Sequence, residues 1–120
     1  MAAPNLYNIS TITAKVTGSS LTTSLADIVA NTAGSNTLVK INSIYASNID
    51  GTNNYAVSVA LVKDAAATLY LASTVTVPAD ATLVIVTRDS PVFLEENDKI
   101  QALAAVSGKI NLIVNYEVIA

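Results

Sequence analysis

The sequence predicts an all-β protein: a two-sheet antiparallel sandwich of about eight strands, jelly-roll or immunoglobulin-like. Three observations carry this. Val and Ile supply 25 of the 120 residues and Thr another 13, and β-branched side chains favour extended backbone and pack well on a pleated surface. Apolar and polar residues alternate with period two in several segments. Turn formers recur at short intervals, at Gly18, Gly34, Asp50-Gly51, Pro78, Pro91 and Gly108, and short strands punctuated in this way build sandwiches or barrels. The length is one domain's worth. Residues 12–120 are assigned to the sandwich and residues 1–11 to an N-terminal segment that is a candidate docking arm.

The first strand is expected over residues 9–17, with Ile12, Ala14 and Val16 on one face and Thr11, Thr13 and Lys15 on the other. Residues 21–30 fit two patterns. Leu21, Leu25, Ile28 and Val29 have approximate helical spacing, while Leu21, Thr23, Leu25 and Ile28 suit a bulged strand, which is the reading adopted. Residues 37–47 carry apolar groups on both faces and read as a central strand. Residues 48–54 (NIDGTNN) are the clearest turn, because Asp-Gly supports a tight hairpin reversal. Residues 55–62 place Tyr55, Val57, Val59 and Leu61 on one face and Ala56, Ser58 and Ala60 on the other, small enough for another sheet or subunit to approach closely.

A turn at 63–67 precedes one or two short strands at 68–77, and Pro78-Ala79-Asp80 punctuates again. Residues 81–87 (ATLVIVT) are nearly continuously apolar, the pattern of a strand covered on both faces. Residues 99–106 alternate Ile100, Ala102 and Ala104 against Lys99, Gln101 and Leu103. The last strand is the most regular, with Ile110, Leu112, Val114, Tyr116 and Val118 on one face.

Composition narrows the chemistry. The chain has no Cys and no His. Thiolate metal sites, disulfides, the commonest general base and every Ser-His or Cys-His nucleophile are therefore excluded, and no cofactor, metal or catalytic residue is assigned. Charged residues are 12% of the chain against 52% apolar, far below the charge of about 25% usual for a globular domain. Much of the surface is neutral or buried against neighbours, and an assembled protein is the simpler account.

The six cations, Lys15, Lys40, Lys63, Arg88, Lys99 and Lys109, are scattered. Phosphate-backbone affinity needs convergent positive charge, so direct nucleic-acid binding is not expected. Nor is membrane insertion, since no apolar run approaches about 20 residues. The segment MAAPNLYNIS lacks the basic and apolar regions of a signal peptide.

Glu95, Glu96 and Asp98 form the densest acidic cluster. They read as a solvated turn, with paired-carboxylate catalysis, weak calcium binding and an intersubunit ion pair to Arg88 or Lys99 as the alternatives weighed. Asp50, Asn53 and Asn54 read as a hairpin turn ahead of an ion loop. Asn8-Ile9-Ser10 matches a glycosylation acceptor by chance. Tyr45, Tyr55, Tyr70 and Tyr116 fall at core-like phases. The interface candidates are Leu6 and Tyr7 in the N-terminal segment, and Pro91, Val92, Phe93 and Leu94. Phe93, the only phenylalanine, is read either as a contact or as a plug at one end of the sandwich.

Several stretches are similar to small virion structural proteins of marine tailed bacteriophages. They are LTTSL (21–25), residues 31–36, VKINSIYASNIDGTN (39–53), TVTVPADATLVIVTRDSPVFLEENDKIQA (74–102) and VNYEVI (114–119). The resemblance spans residues 12–119 and marks no active site. It implies a β-sandwich on the phage particle, made in the host cytoplasm. There it would decorate the outer capsid surface as a cement protein, or belong to the neck, tail or fibres. Self-association, as a trimer, and contact with the major capsid protein are the implied partnerships. A carbohydrate- or receptor-binding module is the competing reading from another class.

Overall fold

The computed structural model describes residues 9–120, and within them the chain forms nine strands and no helix. These are β1 (Ile12–Ser20), β2 (Ala26–Ala30), β3 (Leu38–Asn48), β4 (Tyr55–Lys63), β5 (Ala67–Val77), β6 (Thr82–Val86), β7 (Val92–Leu94), β8 (Lys99–Ala104) and β9 (Ile110–Ile119). One sheet has the order β1-β9-β3-β6, with β7 pairing beyond β6 along β3; the other has the order β2-β8-β4-β5. Every pairing is antiparallel.

The pairs are nested. β4 pairs with β5, β3 with β6 and β7, β2 with β8, and β1 with β9. Successive pairs alternate between the two sheets, as when one long hairpin is wound around a core. That winding is the jelly roll, which decides between the two topologies expected from the sequence. The body measures 50 × 26 × 19 Å. The residue range 21–30 resolves as a bend followed by β2, with the extra residue of a bulge at Ile28.

The core is aliphatic. Ile41, Ile44, Val57, Val59, Val77, Leu94, Ile100, Ala102, Ile110, Leu112 and Val114 are fully buried between the sheets. The period-two pattern of β8 and β9 carries straight into this packing: Ile100, Ala102 and Ala104 face inward, as do Ile110, Leu112 and Val114. Tyr55 and Tyr116 are half-buried against the core, whereas Tyr70 is exposed. Tyr70 stands opposite Ala60 on the outer face of its sheet, so its phase matches a strand without matching the core.

Strand position bears on three expectations. β1 carries Ile12, Ala14 and Val16 on one face as expected, but that face is the outer one, opposite Ile119, Glu117 and Asn115, and Val16 is 66% exposed. β6 is an edge strand and is not covered on both sides; Val84 is 48% exposed. Ser58 and Ala60 are already buried by their own sheet, opposite Leu103, Gln101 and Tyr70, so that face offers no close approach to a subunit.

Asp50-Gly51 does not make a hairpin. Residues 49–54 carry the chain from β3 in one sheet to β4 in the other. Gly51 has no left-handed φ. An added Cβ at Gly51 would stand 3.3 Å from the Asp80 carboxylate, a tight contact that the exposed Asp80 side chain would have to yield to. The primed-turn backbone lies instead at residues 63–66. Asp64 and Ala65 take φ of 52° and 54°, and the Ala66 N–H donates to the Lys63 carbonyl at 2.9 Å. Two positive φ angles are what such a turn demands.

Ile44 lies at the centre of this packing, opposite Val114 and Val86. Truncating it leaves a cavity that rigid sheets fill poorly. Ile44→Ala is expected to lower stability by about 2–5 kcal/mol, read as a lower midpoint of urea unfolding with an unchanged slope.

Candidate protein interface

The interface candidates divide when placed in the fold. Leu6 and Tyr7 lie outside the described residues. The segment that follows them is fastened at its end: the Ser10 and Thr11 amides donate to the Ala120 carbonyl at 2.7 and 3.0 Å. Residues 92–94 form β7 against the start of β3, with Leu94 opposite Val39, Phe93 opposite Lys40 and Val92 opposite Ile41. Alternation along a strand sends neighbours to opposite faces. Leu94 is therefore fully buried in the core and is not a surface contact, while Phe93 faces outward at 42% exposure. Pro91 and Val92 are half-buried.

The acidic cluster is not a solvated turn. Asp98 is 1% exposed. Its Oδ1 accepts the Asp64 amide at 2.8 Å, and its Oδ2 accepts the Glu95 amide at 3.0 Å and the Lys63 Nζ at 2.7 Å. The carboxylate thus holds the β4–β5 turn and the β7–β8 turn together. Lys63 also reaches Glu95 at 3.0 Å, and Lys99 pairs with Asp27 at 3.2 Å, so these ions meet partners within the chain. Glu96 Oε2 accepts the Asn36 amide at 2.7 Å, while its buried Oε1 has no partner. An open hollow of about 550 Å³ lies here, lined by Lys63, Asp64, Glu95, Glu96, Asn97 and Asp98 among others. Among the described residues no group of three His, Cys, Asp or Glu side chains is placed to hold a metal ion.

Asp50 is likewise a loop-builder. The Thr52 and Asn53 amides donate to Oδ1 at 2.8 and 3.2 Å and the Tyr55 hydroxyl donates to Oδ2 at 3.1 Å. Those amides hold the Asp50 carboxyl below its ordinary pKa. Desolvation, reinforced by this hydrogen bond, raises the Tyr55 phenol.

A further candidate interface is the side of the sandwich where β5 and β6 lie next to each other. Residues 65–87 contain one charged group, Asp80, and it sits in the connecting turn. β5 is an eleven-residue edge strand with no charge and no proline. Bulges place Leu71 in β5 and Ile85 in β6 as extra residues. With Ala72, Val75, Leu83 and Val84 they line a shallow groove of about 180 Å³.

The opposite side is built differently. There β1 carries Lys15 and β2 carries Asp27. Charges on an edge strand block pairing with other chains, and their absence invites contact. Sequence reading missed this edge because strand order is needed to know which strands are terminal. The available signal was 23 residues with a single charge.

Two outcomes test the acidic end. Asp98→Ala leaves the Asp64 and Glu95 amides without their acceptor, and a lost partner of this kind costs about 1–3 kcal/mol per group. A fall of about 2–4 kcal/mol in unfolding free energy is expected. Lys63 has its pKa raised, first by the hydrogen bond it donates to Asp98 and then by the one it donates to Glu95. A group with a raised folded pKa contributes fully below its unfolded value, near 10.5, and the contribution is lost as pH climbs through the folded value. Stability is therefore expected to fall above about pH 10.5 in the wild type, and the step is expected to shrink in Lys63→Met.

No family model matches the chain, and no curated protein matches it either.

Proposed function

We propose that this chain is a structural protein of a virus particle, working by assembly with other protein chains as a decoration (cement) protein on the outer head lattice. The observation that carries the reading is the uncharged β5–β6 edge on a chain of only 12% charged residues. Independent domains keep their edges charged, so an eleven-residue neutral edge fits a protein that spends its working life against neighbours. The jelly roll is a fold used by viral capsid and lectin domains, which is compatible with the reading without deciding it. The phage-like stretches in the sequence point the same way.

The mechanism is binding energy. Apolar burial at contacts contributes roughly 25 cal/mol per Å², offset by the freedom lost on association. A chain that binds only the mature lattice stabilises that lattice by linkage. The carbohydrate-binding reading is disfavoured by the placement of its natural contacts. Tyr70 and Phe93, exposed aromatics, stand on the outer faces of different sheets, whereas sugar or base stacking needs rings grouped on one surface.

The test is the copy number of this chain in purified particles relative to the major capsid protein. A ratio near one, or a simple fraction such as about one third, is expected for a component that follows the capsid lattice symmetry. A ratio of a few per cent moves the chain to the neck, tail or fibres, and absence from particles overturns the structural reading.

A further inference from the structure

We infer that the acidic hollow between the β4–β5 turn and the β7–β8 turn is a docking site for a basic side chain, an arginine, presented by a partner protein chain. The inference rests on the assembly reading above and names a contact through which that assembly is made.

Charge concentrates in this one place. Asp64, Glu95, Glu96 and Asp98 stand around the hollow against Lys63 alone. That leaves five acids and five bases on the rest of the chain, so the hollow carries the whole formal net charge of −3. Lys63 bonds Glu95 and Asp98. Asp64 and Glu96 meet no cation among the described residues.

Glu96 is the independent sign of a missing ligand. It lines the hollow, yet it is only 9% exposed, and its Oε2 accepts the Asn36 amide. Its buried Oε1 has no partner, and among the described residues it is alone in this. A carboxylate sheltered from water needs its lone pairs satisfied. A turn about the terminal side-chain bond, which is soft in glutamate, brings Oε1 to the hollow while Oε2 keeps the Asn36 amide.

The spread of the carboxylates selects the guest. A calcium ion takes about six to eight oxygens gathered around one point, and no three carboxylates among the described residues are placed for that. A guanidinium is a flat, permanently charged fork with donors along both sides, and it suits carboxylates set apart. Glu96 takes one side of the fork as a charge-assisted pair. Asp64, exposed on the neighbouring turn, meets the other. The open hollow, about 550 Å³, has room for the group.

Amide NMR shifts of the purified full chain test it, with acetyl-Gly-Arg-Gly-amide and acetyl-Gly-Gln-Gly-amide as the probes. The arginine peptide is expected to shift the Ala33, Asp64 and Asn97 amides to saturation, and the glutamine peptide to leave them in place. Glu96→Gln keeps an oxygen for the Asn36 amide and is expected to weaken binding about tenfold, as for a lost charge-assisted bond. Asp64→Asn, at a left-handed position that asparagine tolerates, is expected to weaken it about threefold, as for an exposed pair. Asp89→Asn removes the same charge outside the hollow and is expected to leave binding unchanged. Equal response to both peptides, shifts that never saturate, or a Glu96→Gln protein that binds like the wild type overturns the inference. So does calcium chloride that shifts the same amides at lower concentration, since it assigns the hollow to a metal ion. Any of these, with the chain present on particles at lattice stoichiometry, leaves the structural role standing. Absence from particles, with the arginine peptide bound at the hollow, leaves the site standing without that role.

Discussion

The ladder between β3 and β9 holds the rest of the molecule in place. It joins ten residue pairs, from Leu38–Ile119 to Asn48–Ile110, down the middle of one sheet. β1 pairs on its far side through β9, and β6 and β7 pair through β3. Its inward residues, Ile41, Ile44, Leu112 and Val114, form the floor on which the second sheet packs. Nothing charged is buried in it; Lys40 and Glu117 face each other on the outer side. One bulge, at Asn42, lets the two strands keep inward phase on both sides of the irregularity. Because these partners lie far apart in the chain, the pairing forms only with the fold as a whole.

A wound hairpin must cross between its sheets repeatedly, and each crossing buries backbone groups that no ladder satisfies. Two buried asparagines meet this need. Asn48 donates to the Asn53 and Val77 carbonyls at 2.9 and 3.0 Å and accepts the Asp50 amide at 2.9 Å. Asn31 donates to the Thr37 and Leu94 carbonyls, both at 2.9 Å, and accepts the Ser35 and Thr37 hydroxyls. Each side chain ties a crossing to a strand beyond it. Asp98 does the same with a charge, and because Lys63 is partly open to water the pair escapes the full cost of a buried ion pair. These polar clamps let an aliphatic core without Phe or Trp define one topology.

Much of this was legible in the sequence. Fold class, the central place of residues 37–47, and the inward faces of β8 and β9 follow from periodicity, because a strand buried on one side writes its burial as alternation. What was not legible depends on partners distant in the chain. ATLVIVT reads as a covered strand because apolarity does not say whether a neighbour exists; β6 is an edge. Asp50-Gly51 reads as a hairpin because the same dipeptide serves a primed turn, whereas here the chain leaves β3 for β4 in the other sheet. Glu95–Asp98 reads as solvated because the lysine that neutralises it lies on β4. That β5 and β6 are edge strands was hidden for the same reason, although their lack of charge was plain.

The asymmetry between the two sides of the sandwich carries the functional argument further than the fold does. A jelly roll leaves two open sides, and this chain treats them differently: Lys15 and Asp27 on one, and none but Val, Leu, Ile, Ala, Thr, Ser and Tyr on the strands of the other. Folding alone does not require the difference, since outward positions on β5 and β6 make few core contacts and would tolerate lysine. Nor does the neutral side act as a bare template for strands, because its bulges oppose that. A side that resists indiscriminate backbone pairing yet presents apolar side chains over a groove suits a partner of defined shape. The absence of charge and the bulges that oppose strand addition, on the same edge, are the two observations on which the proposed assembly role rests.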